Sequence, residues 1–180
     1  MDEISREVGF VPQNPNAILF ADTVRQEVEF TTRSRPGDPE AVLESLGLTA
    51  KAGDYPRDLS EGERQRTAIA AMLAADPPVV LLDEPTRGLD YRNKESLVRF
   101  LREKRDRGRA IVMATHDVEL VAACADRVAL MGDGEIVIDG PTAQVLSESA
   151  IFSTQVNKLF RGTSWLTVED ALTGLGVGPE

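Results

Sequence analysis

Two adjacent acids, Asp83 and Glu84, close the apolar run Val79-Val80-Leu81-Leu82 that follows Pro77 and Pro78. A short continuous apolar run of this kind predicts a strand buried on both faces of a parallel sheet. Such strands present functional groups at their carboxyl ends. Acids placed there are tolerated when they are paired, bind a metal or do chemistry. One carboxylate can hold Mg2+ on a nucleotide phosphate while its neighbour polarises a water for in-line attack. Adjacent acids in a solvated loop would look the same, so the pair gains weight only from its surroundings.

The turn Leu59-Ser60-Glu61-Gly62-Glu63 precedes a helical pattern over Arg64 to Ala75, in which Ile69, Met72 and Leu73 recur on one face. Ser60 suits an N-cap, and Glu63 completes a capping box. The same hydroxyl, the backbone opened by glycine and the free helix N–H groups also make an anion site suited to a terminal phosphate. His116, the single histidine, follows a predicted strand over Arg109 to Ala114. A lone histidine beside apolar residues is more often structural than catalytic. Gln13 ends a predicted strand over Val8 to Pro12 and reads most simply as a turn residue before Asn14-Pro15.

Taken in order and spacing, these segments resemble the ATP-binding-cassette (ABC) family. LSEGERQR stands in the place of its LSGGQ signature and VVLLDEP in the place of its Walker B. Gln13 in VGFVPQNP resembles the Q-loop, Gly88-Leu89-Asp90 the D-loop, and Ala114-Thr115-His116-Asp117 the switch-histidine loop. The resemblance runs from about Val8 to about Gly140, and Glu61 departs from it where the first of two glycines is usual. It implies an α/β P-loop NTPase fold, a parallel sheet flanked by helices with a helical subdomain, using ATP and Mg2+. It also implies catalytic roles for Glu84, His116 and Gln13 and metal contacts from Asp83 and Gln13. Ser60, Glu61, Gly62, Glu63 and Asp90 would contact nucleotide. The signature would act on ATP held by a second ABC ATPase domain in a head-to-tail dimer.

No G-x-x-x-x-G-K-[ST] occurs among the fourteen glycines, and only twelve residues precede Gln13, upstream of which the family carries that loop. The sequence therefore predicts a fold incomplete at its amino end, the latter part of a longer product. It predicts a chain that by itself does not hydrolyse ATP, and a sheet lacking the strand between the one ending at His116 and the one near Arg127 to Met131. The expected layout is a partial cassette over 1–140, with its helical subdomain over about 21–75, and a C-terminal helical extension over 141–180. Within it, Arg35-Pro36-Gly37-Asp38-Pro39 reads as a turn cluster and Asn93 to Arg107 as a surface helix stopped by Gly108. The strands Arg127 to Met131 and Glu135 to Asp139 read as a hairpin across Gly132-Asp133-Gly134.

Twenty basic against thirty acidic residues give a formal charge of −10, which argues against a nucleic-acid partner. Cys124, the single cysteine, reads as a small core residue in a reducing compartment. No apolar run approaches the ~20 residues of a membrane helix, so any membrane contact is expected through a partner, which the resemblance implies is an integral membrane transporter subunit at the cytoplasmic face. Gln13-Asn14-Pro15, Leu19 to Val24 and Leu166 to Leu172 are similar to the ATPases of energy-coupling-factor transporters, which import vitamins and transition-metal ions, and most of all to the second cassette of fused forms. The expected function is the ATP-binding and hydrolysing subunit of such an importer. The alternative is a degenerate or non-transport cassette module that regulates or binds without turnover.

Overall fold

The computed structural model describes residues 7–33, 37–149 and 152–177. The chain packs as two compact units, Met1–His116 and Asp117–Glu180. In the first, β2 (Val79–Asp83) is the middle strand of a parallel sheet between β1 (Val8–Val11) and β3 (Ala110–Ala114). Val8 pairs with Val79 and Asp83 with Ala114. Val80 and Leu82 are buried while Val79 and Leu81 are only half-buried. One face of β2 is thus sealed and the other partly covered, which corrects the expectation of burial on both. β3 departs further, for Val112 is 59% exposed. Among the described residues β3 pairs with β2 alone, so its second edge has no strand against it.

The helical part is built from α1 (Val24–Thr32), α2 (Pro39–Ser45) and α3 (Glu61–Leu73). Side-chain oxygens of Thr23 and Asp38 cap the first two, and Pro39 sits in the first turn of α2, where its missing N–H is not needed. Of the expected turn cluster, Arg35 and Pro36 lie outside the described residues. Val24, Val28, Leu43, Leu46, Leu48, Ile69 and Leu73 are fully buried and form the core here. Two charged side chains are buried among them. Glu27, 2% exposed, accepts hydrogen bonds from the backbone N–H groups of Phe20 and Ala21, the latter at 2.5 Å. Arg66 donates from Nη1 to the carbonyls of Leu46 (2.7 Å) and Gly47 (3.3 Å), which close α2, and burial pushes its guanidinium pKa down.

After α3 the chain turns through Asp76, a non-glycine residue at φ 49°, into Pro77 and Pro78. The Asp76 carboxylate accepts from Lys104 Nζ at 2.6 Å and from Arg109 Nε at 3.0 Å and Nη2 at 2.5 Å. It therefore joins the end of α3 to α4 (Tyr91–Asp106) and to the start of β3. α4 buries Leu97, Phe100 and Leu101 and is followed by Gly108 at φ 82°, the left-handed stop that the sequence predicts.

The second unit contains α5 (Val118–Cys124), an antiparallel hairpin of β4 (Arg127–Gly132) and β5 (Glu135–Pro141), and helices α6 (Thr142–Glu148), α7 (Gln155–Leu159) and α8 (Val168–Gly174). Asp133 and Gly134 both have positive φ, the geometry a two-residue hairpin turn requires. Cys124 is half-buried, with Sγ donating to the Leu120 carbonyl at 3.2 Å. It is not a core residue as expected, because only Leu120 of that helix is buried. Among the described residues no helix is long and apolar enough to cross a membrane.

Burial pushes the Asp76 carboxyl up, but the hydrogen bonds and charges of Arg109 and Lys104 outweigh it and hold the carboxyl below its ordinary value. A folded value below the unfolded one, about 3.9, means stabilisation that is present above that pH and lost as pH falls through the folded value. Asp76→Asn is expected to lower the urea midpoint at pH 7. It should also flatten the loss of stability below about pH 4. Urea titrations of both proteins across that range check it; parallel acid profiles would remove Asp76 as the cause.

Candidate functional site

The carboxyl ends of the three parallel strands lie side by side in the order β1-β2-β3, and each carries a polar residue singled out from sequence. Gln13, exposed, follows β1; Asp83, half-buried, and Glu84 end β2; Thr115 and His116 follow β3. Glu84 adopts φ 47°. A non-glycine residue pays for this left-handed conformation, and it persists only where neighbours hold it. Here Glu84 N donates to the Ala114 carbonyl at 2.8 Å, and the Glu84 carbonyl accepts from Arg87 N at 3.2 Å.

That twist carries the Glu84 side chain toward the loop after β3. Oε2 accepts from Thr115 Oγ1 at 3.2 Å, and Oε1 accepts from His116 N at 3.2 Å and lies 2.8 Å from His116 Nδ1. The Glu84 side chain is 20% exposed and that of His116 90%. The site thus presents a carboxylate fixed by three contacts beside an imidazole open to solvent. A base held this way can take a proton from a water lying against it. Asp83, one residue back, is half-buried at the end of the same strand. Thr115 was passed over from sequence, and only its position between the strand end and His116 signals it.

The turn before α3 forms a separate group. Ser60 Oγ accepts from Glu63 N at 3.3 Å and donates to Glu63 Oε2 at 2.7 Å, and Ser60 N donates to the same oxygen at 2.9 Å. The capping box expected from sequence is therefore formed. The Ser60 hydroxyl and backbone N–H hold the Glu63 carboxyl below its usual range. Glu61 is exposed, and its Oε1 lies 2.8 Å from Arg87 Nε. Gly62 is buried, and a Cβ there would stand 2.4 Å from the Gly88 carbonyl oxygen. Asp90 caps α4, its Oδ1 accepting from Asn93 N at 2.8 Å. The sequence-selected residues fall into two groups joined by the loop from Pro85 to Asp90. Gln13, Asp83, Glu84 and His116 stand at the strand ends; Ser60, Glu61, Gly62 and Glu63 stand at the turn that this loop touches.

A cleft of about 400 Å³, lined by Asp38, Asp76, Phe100, Lys104 and Arg109 among others, contains none of these residues. Among the described residues no cluster of histidine, cysteine and acidic side chains could by itself hold a metal ion.

Residues 9–122 match the family profile described as "AAA domain, putative AbiEii toxin, Type IV TA system". A "Putative ABC transporter ATP-binding protein" of Streptomyces avermitilis is 48% identical over 92% of this chain and 30% of its own length. A protein of the same description from Pyrococcus furiosus is 37% identical over 97% of this chain and 73% of its own. The chain spans about a third of the length of the Streptomyces relatives, 30% and 31%. Among solved structures, cbiO1 of Clostridium perfringens, part of the ABC transporter complex cbiONQ, matches with a TM-score of 0.69 at 30% identity, over 82% of this chain and 62% of that one. The ATP-binding cassette MJ0796, in a dimeric post-hydrolysis state bound to ADP and Pi, matches with a TM-score of 0.66 at 28% identity, over 78% and 67%.

The contact between Gly62 and Gly88 is backbone against backbone, so neither side can rotate away. Gly62→Ala is expected to cost about 1–3 kcal/mol, the scale of overpacking. Gly53→Ala, where an added Cβ meets nothing within 4 Å, should stay within about 0.5 kcal/mol. Urea unfolding of the two variants compares them directly; equal stabilities would mean that the loop yields.

Proposed function

The chain belongs to the ABC transporter ATP-binding protein family, and from that premise we propose that it supplies the hydrolytic strand ends and the signature turn of an ABC ATPase that drives a membrane importer. The observation that carries this reading is the Glu84 carboxylate, held by Thr115 and His116 at the end of the middle strand. In the proposed reaction Glu84 accepts the proton of the attacking water, and His116 and Gln13 orient that water against the terminal phosphate. Asp83 would hold Mg2+, which when bound would offset charge on the phosphates. Ser60, Glu61, Gly62, Glu63 and Asp90 serve the nucleotide of a second cassette across a head-to-tail dimer.

An integral membrane subunit fits the exposed aromatic pair beyond Gln13. Phe20 and Phe30 are 63% and 47% exposed and pack edge to face with centroids 4.8 Å apart, and Arg33 lies 5.4 Å from the Phe30 ring. Glu27 ties that segment to α1 through the Phe20 and Ala21 amides. Aromatic residues with a neighbouring arginine are the composition favoured at protein interfaces. The likeness to a part of an ABC transporter complex supports a membrane transporter, and the similarity of Gln13-Asn14-Pro15, Leu19 to Val24 and Leu166 to Leu172 to energy-coupling-factor ATPases is the ground for an importer of a vitamin or metal ion, with this chain on the cytoplasmic face. A module without turnover is the second reading, favoured by the carboxylate of Glu61 inside the phosphate turn.

The test is Mg-ATP hydrolysis by a cassette in which this sequence follows a G-x-x-x-x-G-K-[ST] loop, wild type against Glu84→Gln. The substitution is expected to slow turnover by a factor on the order of 10² to 10⁴, the contribution of a positioned base. Binding of a fluorescent ATP analogue should be unchanged, because amide and acid have the same shape. No hydrolysis by the wild type supports the second reading. Lost binding with unaltered turnover moves the base away from Glu84.

A further inference from the structure

Three consecutive residues at the end of β3 hold three separate parts of Glu84. The Ala114 carbonyl accepts from the Glu84 backbone N at 2.8 Å. Thr115 Oγ1 donates to Glu84 Oε2 at 3.2 Å. His116 reaches the other oxygen, Oε1, from its backbone N at 3.2 Å and with Nδ1 at 2.8 Å. The division between the two oxygens matters, because the last torsion of a glutamate is broad and roughly two-fold. Contacts on Oε1 alone fix where that oxygen sits and leave the carboxylate plane to turn about it. A contact on Oε2 fixes the plane as well. A base depends on that orientation, since proton transfer is decided first by how a lone pair meets the water. At 3.2 Å the Thr115 bond is longer than the usual O–H···O length of about 2.7–2.8 Å, so it steers the carboxylate more than it binds it. Thr115 is half-buried and directly follows Ala114, the partner of Asp83 in the ladder, so the sheet sets the place of its backbone.

We infer that Thr115 is a positioning residue for Glu84. Its hydroxyl holds Oε2 and fixes the plane of the carboxylate while His116 holds Oε1. The hydroxyl is the acting group, and the methyl beside it is not. The consequence for hydrolysis rests on the proposed reading of Glu84 as the base that takes a proton from water.

The test compares Thr115→Val, which keeps the shape and removes the donor, with Thr115→Ser, which keeps the donor and removes a methyl. In the full chain, hydrogen exchange at the His116 amide, a donor to Oε1, reads by NMR how firmly the carboxylate is held. In the same cassette as Glu84→Gln, Mg-ATP turnover reads the consequence. Thr115→Val is expected to speed that exchange and to lower kcat about three- to tenfold, the scale of one hydrogen bond. KM should stay within about twofold of wild type, the mark of an interaction that serves the chemical step. Thr115→Ser should stay near wild type in both measurements, a rescue that a residue acting through packing would not show. Where Glu84→Gln slows turnover, a valine variant equal to wild type in either measurement overturns the role, and so does a serine variant as impaired as the valine one. If the valine variant does not fold, Thr115→Ala is set against Thr115→Ser under the same criteria. Failure of the underlying reading looks different. Turnover that is absent from wild type, or unchanged by Glu84→Gln, overturns Glu84 as the base and Thr115's part in hydrolysis with it. Exchange at the His116 amide then decides the hold on the carboxylate alone: faster in Thr115→Val keeps it, and unchanged overturns it.

Discussion

The hydrogen bond from Glu84 N to the Ala114 carbonyl, 2.8 Å long, continues the β2–β3 ladder one step past the pairing of Asp83 with Ala114, and the rest of the site depends on it. Because side chains alternate along a strand, a slip of one residue would send every side chain of β2 to the other face. With the register fixed, Val80 and Leu82 go to the sealed face. The strand then ends with its last carbonyl partner used and Glu84 turned to φ 47°. That turn brings the carboxylate to Thr115 and His116, and it reverses the chain into Pro85. The same backbone twist thus sets both the Glu84 carboxylate and the start of the loop that meets Gly62.

What the sequence made legible was whatever rests on local chemistry. The Ser60–Glu63 capping box, the Asp133-Gly134 turn, the stop at Gly108 and the strand ends at Asp83 and Ala114 each follow from a few adjacent residues, and each is present. Burial was read less well, because it depends on what covers a strand. Val112 and Cys124 sit in apolar text, yet the first is 59% exposed and the second half-buried. Least legible were charged residues whose partners are distant in sequence. Glu27, Arg66, Lys104 and Arg87 look like ordinary charges on polar helices and loops, and nothing nearby marks Glu27 as 2% exposed or Arg87 as the partner of Glu61. Glu27 and Arg66 take their roles from backbone amides and carbonyls, and Lys104 and Arg87 from the carboxylates of Asp76 and Glu61, all brought close by the fold, and no periodicity reports those.

The buried charges constrain geometry more tightly than the apolar core does. Leucine and valine tolerate small shifts against one another, whereas a buried carboxylate or guanidinium must find its partners or meet the full desolvation cost. Glu27 reads the positions of two amides, and Arg66 reads those of two carbonyls at the end of α2. Each therefore fixes one irregular segment to one helix, and each binds to backbone, which cannot change rotamer to follow.

The same logic makes α3 a strut fixed at both ends. Thirteen residues span about 20 Å at 1.5 Å per residue. At its amino end Gly62 is in backbone contact with Gly88, and the Glu61 side chain is ion-paired with Arg87, both in the loop that follows β2. Just past its carboxyl end Asp76 is clamped by Lys104 of α4 and by Arg109 at the start of β3. The helix is thus tied to segments that lead out of β2 at one end and into β3 at the other, the two strands that carry Glu84 and His116. A displacement of the turn at Ser60 cannot be absorbed by rotating α3 alone, because one end is closed by glycine-to-glycine contact and the other by a triad of charges. The segments it meets at its two ends, the Pro85–Asp90 loop and the start of β3, are those that flank Glu84 and His116.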